Sequence, residues 1–465
     1  MQSRVRRIYW VVVVLLMLPF VVSAQTSSVN AYSPYSMYGP GELLTPGSGQ
    51  MRSMGGVGIA VRSMGQVNLL NPAAASVAPR KSFLFDVGFD GTHYRNRQSK
   101  YNGESYAGRA RTAYNTVNIH SLALTFPLAK GLGVSFGVAP YSSVGYKIKT
   151  TDQSEDAWAD VGRVMYGYSG DGDITEVKLS VGWEPWRNFS IGVAAKYFWG
   201  NIERNYSAEI VNDITGSGSI ASTTGLDRYS VSNFKFQVGV QWNILYSETQ
   251  LFTLGATYDL GGSLKPKKHS YVYTDNTINS IQSNPVRDNI EFMELQVPHQ
   301  FGVGLFYRNR TMACGFDYNY AMWGDANKGY NENPNPKNLP VTYTRTHDIK
   351  LGFEYTPRST DVRNYLNRIS YRFGVRLGNY YQRFAGERLN KMAVTAGLGL
   401  PIKVWGASSV NIGFEYGRMM PASQPTYYGG ERVGLVKQNY YKVTLGFSLF
   451  SVDTSDYWFV RQKYD

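Results

Sequence analysis

This 465-residue sequence predicts an all-β protein, a transmembrane antiparallel β-barrel of about 14 strands with an N-terminal hatch. Three observations carry that expectation. An export signal stands at the N-terminus, no later stretch approaches the ~20 apolar residues that a membrane helix needs, and apolar and polar residues alternate with period two along the chain.

The first element is a signal peptide over residues 1–24. Arg4, Arg6 and Arg7 precede the apolar run 10–22, and Val22-Ser23-Ala24 supplies the small residue at which cleavage would leave Gln25 first. Composition agrees with a membrane barrel: the chain holds 36 Tyr and 48 Gly, but only 5 His and 1 Cys, and charged residues make up 17%. Soluble proteins carry about 25% charged residues, so much of the surface is neither charged nor hidden in an ordinary core. Tyr suits the aromatic girdles at two lipid–water interfaces. The net charge of +13 loses three arginines with the signal, leaving 44 basic residues against 34 acidic ones, +10. Those basic residues are scattered, as in Arg95-Asn96-Arg97, so outer-membrane lipid and lipopolysaccharide are the expected neighbours and nucleic acid is not.

The second element, residues 25–80, is rich in Gly, Ser, Pro and Met and lacks strand alternation. Such a segment before the first strand reads as a periplasmic tail or as a plug in the lumen, its small residues allowing close packing on a barrel wall.

The third element, residues 81–450, is the barrel. Tyr371, Phe373, Val375 and Leu377 alternate with Arg372, Gly374, Arg376 and Gly378. Phe234, Phe236, Val238, Val240 and Trp242 do the same against Lys235, Gln237, Gly239 and Gln241. Slipping the register by one residue would put Arg372 and Arg376 into hydrocarbon at roughly 2–4 kcal/mol each, so the register is strongly specified. Strands are expected near 82–96, 116–127, 132–146, 174–186, 188–204, 231–245, 250–260, 299–309, 311–324, 345–357, 367–381, 390–401, 407–418 and 438–450. Tight turns at 185–188 and 307–311 contrast with long polar connections at 147–173, 205–230, 261–298 and 325–344, which places the former in the periplasm and the latter outside. Lys178, Glu184, Lys235, Arg372, Arg376 and Glu415 are expected to face the lumen, where they line a pore or, the plainer choice, pair across it. Residues 451–465 are read as a C-terminal periplasmic tail.

Little in the sequence suggests chemistry. His93, His120, His269, His299 and His347 have no metal-ligand spacing, and Cys314 falls in phase with Phe316, Tyr318 and Tyr320 as a wall residue. Gly56-Val57-Gly58 lacks the third glycine of a dinucleotide loop, and Asp171-Gly172-Asp173 offers too few oxygens for Ca²⁺. No enzyme, no metal, no catalytic residue and no cofactor is expected.

The run Arg52-Ser53-Met54-Gly55-Gly56-Val57-Gly58-Ile59-Ala60, leading to Asn71-Pro72-Ala73-Ala74, resembles the N-terminal hatch of FadL-like (FadL/TodX) outer-membrane transport proteins, especially their Bacteroidetes relatives. The Pro298-led stretch 297–307 and the hairpin 317–325 are similar to that family's next strands. The ending Tyr457-Trp458-Phe459 through Tyr464 resembles Bacteroidetes barrel proteins while departing from a terminal Phe. The resemblance implies a 14-stranded barrel of the Gram-negative cell outer membrane, closed by a hatch that includes Arg52, Gly55, Gly56, Gly58, Asn71, Pro72 and Ala73. It implies lipid transport: passive uptake of hydrophobic small molecules, such as long-chain fatty acids, by loop capture, hatch rearrangement and lateral release through the wall. The same resemblance admits a second role, since Bacteroidetes relatives include accessory subunits of the type IX secretion translocon; secretion-machinery proteins are then the partners. No ligand-contacting residue is marked.

Overall fold

Alternation of period two turns one face of each strand to lipid and the other inward, and fourteen such strands pair in sequence order around a closed wall. The computed structural model describes residues 31–451 apart from 81, 103–104, 152–162, 212–218, 277–280, 283–286, 293–294, 325–340, 403–407, 424–425 and 429–430. The wall strands are β1 (Phe83–Asn102), β2 (Ser105–Ala129), β3 (Leu132–Thr151), β4 (Arg163–Trp186), β5 (Phe189–Val211), β6 (Ser219–Tyr246) and β7 (Gln250–Asp259). They continue as β8 (Gln300–Asn309), β9 (Met312–Ala321), β10 (Thr346–Tyr355), β11 (Ser370–Phe384), β12 (Glu387–Ile402), β13 (Ser408–Pro421) and β14 (Lys437–Ser451). The last strand returns to the first in antiparallel register, from Phe83 opposite Ser451 to Arg97 opposite Lys437, and closes the barrel. The expected signal peptide, 1–24, lies outside the described residues, as does the expected tail, 451–465, except for Ser451, which ends β14.

The apolar rows do face outward. Phe234 and Phe236 are 60% and 56% exposed, whereas Gln241 between Val240 and Trp242 is fully buried. Phe373 and Leu377 are exposed and Arg372 is buried, opposite Glu354 on β10. Cys314 is exposed on the same outer face. A continuous apolar belt of this kind would be a costly surface in water and is the surface that a bilayer core requires.

The polar connections depart from expectation. Within those connections the described residues 147–151, 163–173, 205–211 and 219–230 continue as strand, with β3 and β4 paired up to Thr151 and Met165 and β5 and β6 paired up to Val211 and Ser219. Asp171 and Asp173 accordingly lie within β4 rather than in a loop. Segment 261–298 carries a further ladder, Lys267–Asn276 against Arg287–Phe292, and its first strand also pairs with the outer part of β6. These stretches stand beyond the hydrocarbon, so nothing demands apolar residues on either face, and a hydrophobic alternation cannot mark them.

The belt makes a direct prediction. Val238→Arg, on the lipid face of β6, is expected to destabilise the barrel by about 2–4 kcal/mol if it sits near the bilayer midplane, and less nearer an interface. Urea unfolding of the protein in lipid vesicles, set against Gln250→Arg at the rim, measures it.

Candidate functional site

Residues 31–80 run inside the barrel, and a ring of glycines lets them approach the wall at backbone distance. From β3 round to β13 each strand contributes one: Gly133, Gly182, Gly192 and Gly239 pair in sequence across β3–β6, Gly255 with Gly304, Gly315 with Gly352 and Gly374, and Gly397 with Gly413. A Cβ on Gly192 would stand 2.4 Å from the Ala73 nitrogen, one on Gly374 2.1 Å from the Gly55 nitrogen, and one on Gly133 2.0 Å from the Ala75 carbonyl oxygen. The chain from Ser53 to Ala75 thus circles the lumen near the end where the short turns lie, its backbone on the wall at Gly133, Gly182, Gly192, Gly255, Gly352 and Gly374 and its Ser53, Val57 and Asn71 side chains on the wall at Gly397, Gly315 and Gly239.

The hatch residues singled out in the sequence all lie in this floor. The Arg52 guanidinium is buried against the Asp90 carboxylate, which also accepts from Thr444 Oγ1 at 2.7 Å and lies 3.4 Å from His120 Nδ1. Gly55 and Gly56 take φ of +70° and +84°, a left-handed turn that side chains resist, and the Gly55 amide donates to Thr395 Oγ1 at 2.9 Å. The Gly58 and Ile59 amides both donate to Asp317 Oδ2, at 2.7 and 3.0 Å. Asn71 caps the short helix Pro72–Val77 by accepting from the Ala73 amide at 3.0 Å, while its Nδ2 donates to Ile59 O at 2.9 Å and Val240 O at 3.0 Å. One amide side chain therefore ties the helix, the Ile59 turn and the wall together.

The inward charges are largely paired or hydrogen-bonded. Arg372 meets Glu354 at 2.7 Å, Arg376 meets Glu415 at 2.5 Å and Arg62 meets Glu184 at 3.1 Å. Lys178 donates to Leu69 O and Gln237, and Lys235 donates to Ser263 O at 3.0 Å.

A second tier, residues 31–46, crosses the lumen above the floor. Tyr381 donates to Gly41 O at 2.5 Å and Gln382 to Tyr38 O at 3.0 Å from β11; Arg204 of β5 donates to Gly39 O at 2.7 Å; Lys391 of β12 meets Glu42 at 2.8 Å. Between floor and strap lies a cavity of about 300 Å³, lined by Tyr94, Tyr141, Glu176, Lys196, Asp259, Lys350 and Arg376 among others.

At the side of that cavity the wall parts. β2 and β3 pair only from Leu122–Val138 down to Ala129–Leu132, whereas β2 continues to pair with β1 and β3 with β4 far above that point. Val117 and Ile119, just above the parting, are exposed and apolar, so the gap begins beside hydrocarbon. The strap fills it. Glu42 and Leu43 pair with Ser143 and Ser142 on the freed edge of β3, the Leu44 amide donates to Tyr141 O at 3.0 Å, the Ser33 amide donates to Gly145 O at 2.8 Å, and Tyr32 stacks on Tyr114 of β2 at 4.3 Å. Sequence reading took 132–146 as a strand, and it lies within β3, but that reading did not show that β2 leaves its edge. A signal was Pro140, which has no amide to give a ladder and lies two residues beyond the last β2–β3 pair, Leu122–Val138. It also missed Glu42, Lys196 and Asp259, which alternation alone does not place around one chamber.

The family model described as BamG matches residues 5–465. Among solved structures, a Pseudomonas aeruginosa FadL homologue is similar over 89% of this chain and 99% of its own, at 14% identity and a TM-score of 0.57. The Ralstonia pickettii toluene transporter TbuX is similar over 90% and 99%, at 13% identity and 0.51, and the P. putida toluene transporter TodX over 88% and 99%, at 14% identity and 0.53. No curated protein matches the chain. The fold is that of a FadL-like outer-membrane barrel.

Gly192→Val tests the floor. Its side chain meets the Ala73 backbone, so the hatch is expected to lift, at about 1–3 kcal/mol, while the wall ladder persists. Limited proteolysis in vesicles would then cut near Asn71, which is fully buried in the native chain, with the barrel fragment intact.

Proposed function

The chain belongs to the BamG family, and from that premise we propose that it is an outer-membrane channel for small hydrophobic molecules, released sideways through the parting between β2 and β3. The observation that carries this reading is the coincidence of three features: a wall gap beside hydrocarbon, a chamber opening toward it, and one segment, residues 31–46, that closes both. Support comes from the toluene transporters TbuX and TodX, which share the fold.

In this mechanism the floor stays seated, because displacing it breaks backbone contacts around most of the ring, and the strap moves. Withdrawing residues 31–46 from the freed edge of β3 opens the chamber outward and to the side together. The tyrosines Tyr94 and Tyr141 supply apolar faces with polar tips, suited to a solute that is mostly hydrophobic. About 300 Å³ is the small end of the usual range for ligand sites, which favours a compact molecule over a long acyl chain while the strap is in place. No covalent step is involved.

A second reading, a barrel that serves as a subunit of a larger outer-membrane assembly, is favoured by the charged lining of the chamber and by the tightly packed floor. Under it, the freed edge of β3 would receive a strand from another chain when the strap leaves.

The pair Leu43→Cys and Ser142→Cys, in a Cys314→Ala background, faces across the antiparallel contact at a separation that a disulfide spans. Oxidation is expected to abolish toluene uptake across the lipopolysaccharide-covered outer membrane of cells that carry the variant, and dithiothreitol to restore it. Entry unchanged by the crosslink would sink the channel reading. Under the second reading the oxidised form instead fails to retain a stoichiometric partner that the reduced form retains in mild-detergent extracts.

A further inference from the structure

Among the turns at the short-turn end of the barrel, the connection from β10 to β11, residues 356–369, stands out. It is longer than its neighbours at 187–188, 247–249 and 310–311, and it is internally built. Asp361 Oδ1 accepts from the Arg363 and Asn364 amides at 2.9 and 3.0 Å, and its Oδ2 accepts from Asn367 Nδ2 at 2.7 Å. The Arg358 amide donates to Asn367 O at 2.7 Å, and the short helix Tyr365–Arg368 is capped by Asn364. A turn so fully bonded to itself nevertheless exposes Val362 at 86%, Leu366 at 61% and Tyr365 at 44%.

Its position says what covers that patch. Tyr371 sits on the lipid-facing row, between Tyr355 and Leu398 of the adjacent strands, and its hydroxyl donates to Leu366 O at 3.4 Å. The Tyr365 hydroxyl donates to Pro401 O of β12 at 3.1 Å. The turn therefore folds outward over the rim of the apolar belt, not under the lumen. Arg358, Arg363 and Arg368 surround it, with Arg368 lying 5.6 Å over the Tyr365 ring, and the single acid of the turn is spent on its internal bonds.

We infer that residues 356–369 form a lipid-embedded wedge: Val362, Tyr365 and Leu366 enter the periplasmic leaflet beside the barrel, and the three arginines hold the phosphates of its headgroups. An apolar tip framed by guanidinium groups, continuous with the hydrocarbon belt, matches the order in which a leaflet presents acyl chain and phosphate. The inference goes beyond the channel reading and stands whether or not solute passes.

Site-directed spin labelling tests it on the full chain. A nitroxide at Val362→Cys in the Cys314→Ala background is compared with one at Glu248→Cys, on the exposed β6–β7 turn, in phosphatidylethanolamine vesicles with and without phosphatidylglycerol. At position 362 molecular oxygen is expected to relax the label more than a water-soluble nickel chelate does, the reverse of position 248. Replacing the three arginines with Gln is expected to shift position 362 toward water, most in the anionic vesicles. Equal nickel access at 362 and 248 would overturn the inference. A label that is wet in vesicles but dry in native outer-membrane fragments would also overturn it, assigning the patch to a protein partner.

Discussion

Inside hydrocarbon no water is available to a backbone amide or carbonyl, and the rest of this structure follows from that. A strand wall satisfies the requirement only when its last strand finds its first, as β14 finds β1 along the register from Phe83–Ser451 to Arg97–Lys437. The same requirement governs the one place where the wall comes apart among the described residues. Once β3 leaves β2 above Val138, its edge has no wall partner, and the Glu42–Leu43 strand with the Ser33 and Leu44 amides takes up part of that edge from the inside. A gap in a membrane barrel needs a segment to cover it, and that need makes the N-terminal strap a natural gate.

The lumen obeys a related rule about charge. Guanidinium and carboxylate groups shut away from water are tolerated when each is paired and hydrogen-bonded, which is the arrangement of Arg372 with Glu354 and of Arg376 with Glu415 and Tyr440. Removing one partner leaves a buried charge without compensation, so these pairs stiffen the wall around the plug. The floor adds a second source of rigidity. Its backbone lies directly on wall glycines, and close packing of that kind has discrete fits with little room for sliding. Rigid floor and hydrogen-bonded strap divide the N-terminal segment into a part that seals and a part able to move.

The two ends of the barrel differ for the same physical reasons. Outside the bilayer, water satisfies whatever the protein does not, so hairpins such as β5–β6 extend as polar ladders well past the membrane. On the other side the connections are short, except for the turn over Tyr371, whose exposed apolar tip makes sense only against lipid or another apolar surface.

What the sequence alone determined was the wall. Period two is a local property, so Phe373 beside Arg372, or Val238 beside Gln237, already states which way each residue faces, and the strand number follows by counting. The resemblance of Arg52–Ala60 and Asn71–Ala73 to a hatch likewise singled out residues that lie inside the wall. Only the tertiary structure decided how the hatch is seated, because the glycines that receive it come from strands far apart in the chain and look, one by one, like any small inward residue. It alone showed the parting above Val138 and the strap across it, since a strand's sequence records its faces and not whether the neighbour beside it stays. The chamber, too, is a property of closure: Glu42, Lys196, Asp259 and Arg376 meet there because the wall bends back on itself, and no local pattern carries that information.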